Sequence, residues 1–342
     1  MIVLLTGGTG FLGKSVARAL AARGHALRVL ARDTSDLRGL PPAEIVRGDV
    51  TDGEAMLRAA QGCGAVCHMA ALVRMWTPER ERFERVNVGG LRNALQAARA
   101  AGARLVYTSS FIAVGPAGPE PVDESRTHPG CGYRNDYERT KAMADAVALE
   151  AAAAGQDLVL LYPGVVYGPG DLTDGNLVAR MVADHLGGRL PGIVGPGDRL
   201  WSYAFVEDVA AGHASALERG KAGQRYFLGG DNVTMNELFA LVEKITGVRP
   251  PARHIPYAAA SALGFAMWTW AELTGHPPQL THEVVNVFRE HWAYSSAKAE
   301  RDLGYRRTPL EEGLRRTVAW LRETGALIPA AGPVEAAAAT WR

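Results

Sequence analysis

Ile2-Val3-Leu4-Leu5-Thr6-Gly7-Gly8-Thr9-Gly10-Phe11-Leu12-Gly13 opens the chain and decides its fold. A short apolar run ending in glycines reads as a buried strand, and the residues that follow read as a helix to about Arg23, stopped by Gly24. Strand, glycine turn and helix in that order form the entry to a dinucleotide-binding unit. The glycines fit two spacings, Gly7/Gly10/Gly13 and Gly8/Gly10/Gly13, of which we favour the first. In either, the missing side chains let backbone amides approach a pyrophosphate, and the helix N-terminus adds partial positive charge. Gly7, Thr9, Gly10, Phe11, Leu12 and Gly13 are therefore candidate cofactor contacts.

Strands and helices alternate from Ile2 to Tyr162, which implies right-handed crossovers and a parallel sheet covered on both faces. The expected class is α/β, a doubly wound parallel sheet of the Rossmann type with a smaller C-terminal substrate lobe. Residues 1–168 plus about 202–230 are assigned to the dinucleotide-binding domain. About 169–201 plus 231–325 form the lobe, and 326–342, rich in alanine and proline, a loose tail. Tyr203 to Glu218 reads as a helical run and Arg225 to Leu228 as a strand.

The second strand, Ala26 to Ala31, ends where an NAD enzyme usually carries a carboxylate for the ribose 2′-hydroxyl. Here Arg32 follows, able to meet a 2′-phosphate through charge-assisted hydrogen bonds, so NADP(H) is expected rather than NAD(H). Asp33 dissents: it can take the 2′-hydroxyl or cap the next turn. The third strand, Glu44 to Arg47, leads to Asp49 and Val50, where a carboxylate can accept from an adenine amino group or cap a helix before Gly53.

Tyr137 and Lys141, four residues apart, share a helix face. Asn135 is the expected cap, with Glu138 folding back in a capping box and Gly155 stopping the helix. A phenol with a pKa of about 10 is a poor acid or base near neutrality, but a nearby cation favours phenolate. Five of the 37 basic residues are lysines, which makes Lys141 an uncommon choice in an arginine-rich chain. Ser109 and Ser110, after the strand Arg104 to Thr108, offer a hydroxyl to a carbonyl oxygen gaining negative charge.

With these features, the strand-end sequence His68-Met69-Ala70-Ala71, and Tyr167-Gly168-Pro169, the chain resembles the extended short-chain dehydrogenase/reductase family over nearly everything to about residue 325. The resemblance implies Ser110 as the catalytic serine, five residues before Gly115, with Tyr137 as proton donor or acceptor and Lys141 tuning it and holding the nicotinamide ribose. Ala70 and Ala71 would border the phosphates, and Pro163 to Val166 would pass the nicotinamide. Within the family the chain is most similar to dihydroflavonol reductases, hopanoid-associated reductases and 3β-hydroxysteroid dehydrogenases. Nucleotide-sugar epimerases usually carry asparagine at Gly164 and arginine at Trp201, with Arg199 here displaced by two positions. Met75, Trp76, Phe111, Ile112, Gly164 and Trp201 are the candidate substrate pocket, which implies a hydrophobic carbonyl or alcohol. An epimerase or dehydratase that retains NAD, or a non-catalytic NADP(H) sensor, are the rival readings.

A hydrophobic content of 47% and a net charge of +1 allow a large core and argue against a nucleic-acid partner. Cys63, Cys67 and Cys131 read as reduced thiols, no histidine has metal-ligand spacing, and no metal is expected. An N-terminus that begins with a strand suggests a cytoplasmic protein. The uncharged stretch Tyr257 to Ala271 is too short to span a bilayer and is expected to be a buried helix over the substrate pocket, with membrane-surface contact the minor alternative. The oligomeric state is monomer or homodimer.

Overall fold

Strands buried on both faces must be apolar on both, and the runs with that property pair in parallel at the centre of the molecule. The computed structural model describes residues 1–327. The first six strands are β1 (Ile2–Thr6), β2 (Ala26–Ala31), β3 (Glu44–Arg47), β4 (Ala65–His68), β5 (Arg104–Thr108) and β6 (Leu158–Pro163), followed by β7 (Val165–Tyr167), β8 (Ile193–Val194), β9 (Leu200–Phe205), β10 (Arg225–Leu228), β11 (Asp231–Thr234) and β12 (His254–Ile255). Seven of them form one sheet in the order β10-β6-β5-β4-β1-β2-β3, every pair parallel. The winding reverses between β1 and β4, and the crevice at such a switch point is where open α/β sheets bind ligands.

Helices α1 (Phe11–Ala22), α2 (Gly53–Ala60), α3 (Glu81–Glu84), α4 (Gly90–Ala100), α5 (Asp136–Ala153), α6 (Leu177–Leu186) and α7 (Val206–Arg219) follow the strands. The core is split by the sheet. Leu4, Val66, Leu105 and Tyr107 face the side that carries α2 and α4, while Val3, Leu5, Cys67 and Val106 face the side of α1 and α7. The alternation within each strand is the period-2 geometry of a pleated sheet.

Beyond Tyr167 the chain departs from the expectation first at β9. Leu200–Phe205 is a strand, pairing antiparallel with β11 and parallel with β7, and the helix begins only at Val206. The run Trp201-Ser202-Tyr203-Ala204-Phe205 joins the helix without glycine or proline, so no local signal divides them. The remaining helices are α8 (Met235–Thr246), α9 (Tyr257–Thr274), α10 (His282–Phe288), α11 (Ala297–Leu303) and α12 (Leu310–Glu323). Of these, α11 returns to pack on α7 and β10. The tail expected at 326–342 lies, from residue 328 onward, outside the described residues.

The helix expected to be buried at 257–271 is not. Within α9 the buried residues are the small ones, Ala260, Gly264 and Ala271, and a Cβ on Gly264 would stand 2.6 Å from the His282 nitrogen. Close approach of α10 therefore requires glycine at that position. Leu263, Phe265, Trp270 and Leu273 are exposed instead. Among the described residues no helix is long and apolar enough to cross a membrane.

Candidate active site

The glycine turn is shaped by contacts that exclude side chains. Gly7 has φ +73°, and a Cβ there would lie 2.7 Å from the Ala70 nitrogen. A Cβ on Gly13 would lie 2.0 Å from the Gly7 carbonyl oxygen, so α1 can start this close to β1 only with glycine. Gly8 instead packs toward Leu5 and Val29, and does not border the cleft. The cradle left by Gly7, Gly10 and Gly13 suits a pyrophosphate against the α1 N-terminus, and it opens into a cavity of about 740 Å³. Every residue nominated for cofactor contact borders that cavity: Gly7, Thr9, Gly10, Phe11, Leu12, Gly13, Arg32, Asp49, Val50, Ala70, Ala71, Lys141, Pro163 and Val166.

At the far end, the Arg32 backbone is fixed by its N–H donating to Ser35 Oγ (3.1 Å) and its carbonyl accepting from Arg47 Nη1 (2.8 Å). Its guanidinium borders the cavity and has no hydrogen-bond or ion-pair partner among the described residues. Asp33 is turned outward, 91% exposed and 3.8 Å from Arg47 Nε, and does not border the cavity. Asp49 accepts from the Thr51 N–H (2.9 Å) and hydroxyl (2.8 Å), while Asp52 caps α2.

At the near end, Ser110, Tyr137 and Lys141 converge on the same cavity. Asn135 caps α5 by accepting from the Glu138 N–H at 2.7 Å. Glu138 does not close a capping box with Asn135. Its carboxylate is fully buried and accepts from the Arg134 N–H (2.8 Å) and Nη1 (2.9 Å), with His128 Nε2 at 3.1 Å, so it fastens the preceding loop to the helix start. Burial pushes the Tyr137 phenol up to about 12, with the nearby Ser110 hydroxyl opposing the rise.

Lys141 is not aimed at the phenol as the spacing suggested. Its Nζ donates to the Thr108 carbonyl at 2.9 Å and to the Tyr107 hydroxyl at 3.4 Å. Burial pushes the amine down to about 7, with the Asp145 carboxylate opposing. Asn87, in a π-helical turn over Arg85–Gly89, accepts from the Leu72 N–H (2.7 Å) and donates to Thr140 Oγ1 (3.0 Å), tying the loop after β4 to α5.

Of the nominated substrate residues, Phe111, Gly164 and Trp201 border the cavity and Met75, Trp76 and Ile112 do not. Ile112 is buried in the core behind the serine turn. Trp76 is also buried, its indole N–H donating to Glu272 of α9 at 2.8 Å, and Met75 is half-buried beside it in sequence. Trp292 was not anticipated from the sequence. Fully buried, it contacts both Phe111 (5.5 Å between centroids) and Trp201 (6.4 Å), and so backs the apolar wall.

A Cβ at Gly164 would be 2.6 Å from the Ser202 carbonyl oxygen, which leaves no room for an asparagine side chain. Arg199 bonds His291 Nε2 at 3.0 Å and does not border the cavity. Lys14 was also missed. It is buried in the first turn of α1 and pairs with Asp171 at 2.8 Å, fastening the loop after β7, whose Thr173 and Asp174 border the cavity, across the glycine turn.

Comparison with known proteins finds relatives over nearly the whole chain. The chain is 33% identical over 333 residues to a putative dihydroflavonol 4-reductase of Synechocystis sp., covering 94% of each. It is 32% identical over 325 residues to a 3 beta-hydroxysteroid dehydrogenase/Delta 5-->4-isomerase of Mycobacterium tuberculosis, covering 89% of this chain and 85% of that one. The solved UDP-glucose 4-epimerase of Thermus thermophilus, in complex with NAD, superposes with a TM-score of 0.73 at 26% identity, covering 94% of this chain and 99% of that one. The model of the NAD dependent epimerase/dehydratase family matches residues 3–229, and the chain belongs to that family.

Proposed function

We propose that the protein is an NADP(H)-dependent oxidoreductase interconverting a ketone or aldehyde with its alcohol on a hydrophobic small molecule. The observation that carries the reading is the convergence of Ser110, Tyr137 and Lys141 at one end of a cavity whose other end is the Gly7–Gly13 cradle. Residues 1–168 plus about 202–230 serve the dinucleotide, and about 169–201 plus 231–325 serve the substrate, with 297–303 returning against the central sheet.

A bound nicotinamide supplies or accepts the hydride. In reduction, the carbonyl π pair moves onto oxygen as carbon gains hydride. Ser110 donates a hydrogen bond to that oxygen and Tyr137 gives it a proton, leaving phenolate to be reprotonated from solvent. A phenol held near 12 remains a proton donor across the neutral range. Lys141, already anchored on the Thr108 carbonyl, keeps further N–H groups for the nicotinamide ribose.

Preference for the 2′-phosphate is supported by the unpartnered Arg32 guanidinium at the cavity edge and by Asp33 being turned away to Arg47. The hydrophobic substrate is supported by Phe111 and Trp201, and by relatives named for dihydroflavonol and hydroxysteroid chemistry. The epimerase reading rests on the structural likeness alone, and both the closed Gly164 position and the diversion of Arg199 to His291 count against it.

NADPH and NADH oxidation with a dihydroflavonol, a 3-oxosteroid and an aliphatic ketone tests the reading directly. Tyr137→Phe should lower kcat by about 10²–10⁴-fold with dinucleotide affinity unchanged. Residual turnover near wild type would remove Tyr137 from the chemistry.

A further inference from the structure

Ser110 and Lys141 lie on different elements, yet one short piece of backbone positions both. Thr108, the last residue of β5, offers its carbonyl to Lys141 at 2.9 Å, and two residues on Ser110 borders the same cavity as Tyr137. Strand exits are ordinarily loose, but this one is pinned on both faces.

On the α7 face, Thr108 Oγ1 is 2.8 Å from His213 Nε2, while His213 Nδ1 is 2.7 Å from the Val209 carbonyl. Nδ1 must carry the proton to reach a carbonyl, so in the neutral ring Nε2 accepts from the threonine hydroxyl. On the α5 face, Ser109 Oγ donates to Asp145 Oδ1 at 3.0 Å. The Ser109 N–H also donates to the Leu161 carbonyl at 2.8 Å. Asp145 follows Lys141 by one helical turn and is buried, and Lys141, Tyr107, Tyr162 and Arg225 also face it. A carboxylate in such a place is unfavourable unless it is hydrogen-bonded, and Ser109 is the side chain that supplies a well-formed bond.

We propose that Asp145 is a positioning residue of the active site: through Ser109 it fixes the backbone that carries Ser110 and the carbonyl anchor of Lys141. It touches neither substrate nor dinucleotide. The proposal rests on the reading of Tyr137 as proton donor, and it deepens that reading by naming what holds serine, tyrosine and lysine in register. An acceptor on Asp145 is what the arrangement requires, so asparagine should serve and leucine should not.

The test compares Asp145→Asn, Asp145→Leu, Ser109→Ala and the Ser109→Ala/Asp145→Leu double variant in the full chain. Turnover is measured with whichever of the three carbonyl probes the wild type reduces, beside NADPH Kd by fluorescence and thermal unfolding. Asp145→Leu and Ser109→Ala should each lower kcat by about 100-fold, the scale expected for misplaced catalytic groups, with KM and Kd within about threefold. Asp145→Asn should stay within about threefold of wild type, and the double variant should be no worse than either single change. Wild-type kcat in the folded Leu and Ala variants, additive losses, or an Asn variant as impaired as the Leu variant would each overturn the proposal. Tyr137→Phe is run alongside: turnover retained there removes the proton-donor reading itself, whereas turnover lost there and kept in the others removes only the role of Asp145.

Discussion

Replacing Lys141 by Met is expected to stabilise the protein while abolishing turnover. The amine is buried and held at about 7 rather than 10.5, chiefly by desolvation. That fall corresponds to about 4–5 kcal/mol against the protonated form. The full amount will not be recovered, because removing the cation leaves the Asp145 carboxylate less compensated, so a gain of about 2–3 kcal/mol is expected. Between about pH 7 and pH 10.5 the unfolded chain binds a proton that the native state does not, so wild-type stability rises with pH across that window. The Met variant lacks this slope. Its advantage is therefore full at and below about pH 7 and closes toward pH 10.5. Urea unfolding of both proteins across this range reads the difference, and kcat of the variant should fall by about 100-fold or more. A Met variant less stable than wild type at neutral pH, or an advantage that does not narrow as pH rises, would refute the reasoning.

Arg32→Ser should raise the KM for NADPH by about 10- to 100-fold, the loss of one or two charge-assisted hydrogen bonds, with the KM for NADH nearly unchanged. Equal effects on both would show that Arg32 does not read the 2′-phosphate. Gly164→Asn should destabilise by about 1–3 kcal/mol in chemical unfolding, because its Cβ meets the Ser202 carbonyl oxygen at 2.6 Å. A stable variant that gained nucleotide-sugar binding by calorimetry would instead revive the epimerase reading.

The parts of the fold legible in the sequence were those where local pattern and tertiary demand coincide. β2, β3, β5 and β10 had the bounds expected, because each is a short run with an apolar centre set off on both sides by turn or polar residues. β9 was misread because its aromatic run passes into a helix without a breaker, and α9 because composition gives the amount of apolar surface but not its phase. Nothing in Tyr257–Thr274 announces that Gly264 rather than Phe265 turns inward.

The same distinction divides the site. Gly7, Gly13, Ser110, Tyr137 and Lys141 could be nominated because their spacing is local. Lys14 and His213 could not, since each acts through a partner fixed only by the fold: Asp171 and Thr108. Asp145 falls between the two cases. The four-residue arithmetic that joins Tyr137 to Lys141 also joins Lys141 to Asp145, and an acid on the inner face of an alanine-rich helix is a signal in its own right. Its donor, Ser109, stood in plain sight beside Ser110. What the sequence lacked was the pleat of β5, which sends Tyr107 and Ser109 toward α5, and Val106 and Thr108 toward α7. Ser109 carries that alternation one residue past the strand, so its hydroxyl faces the helix that carries the tyrosine and lysine and requires an acceptor there.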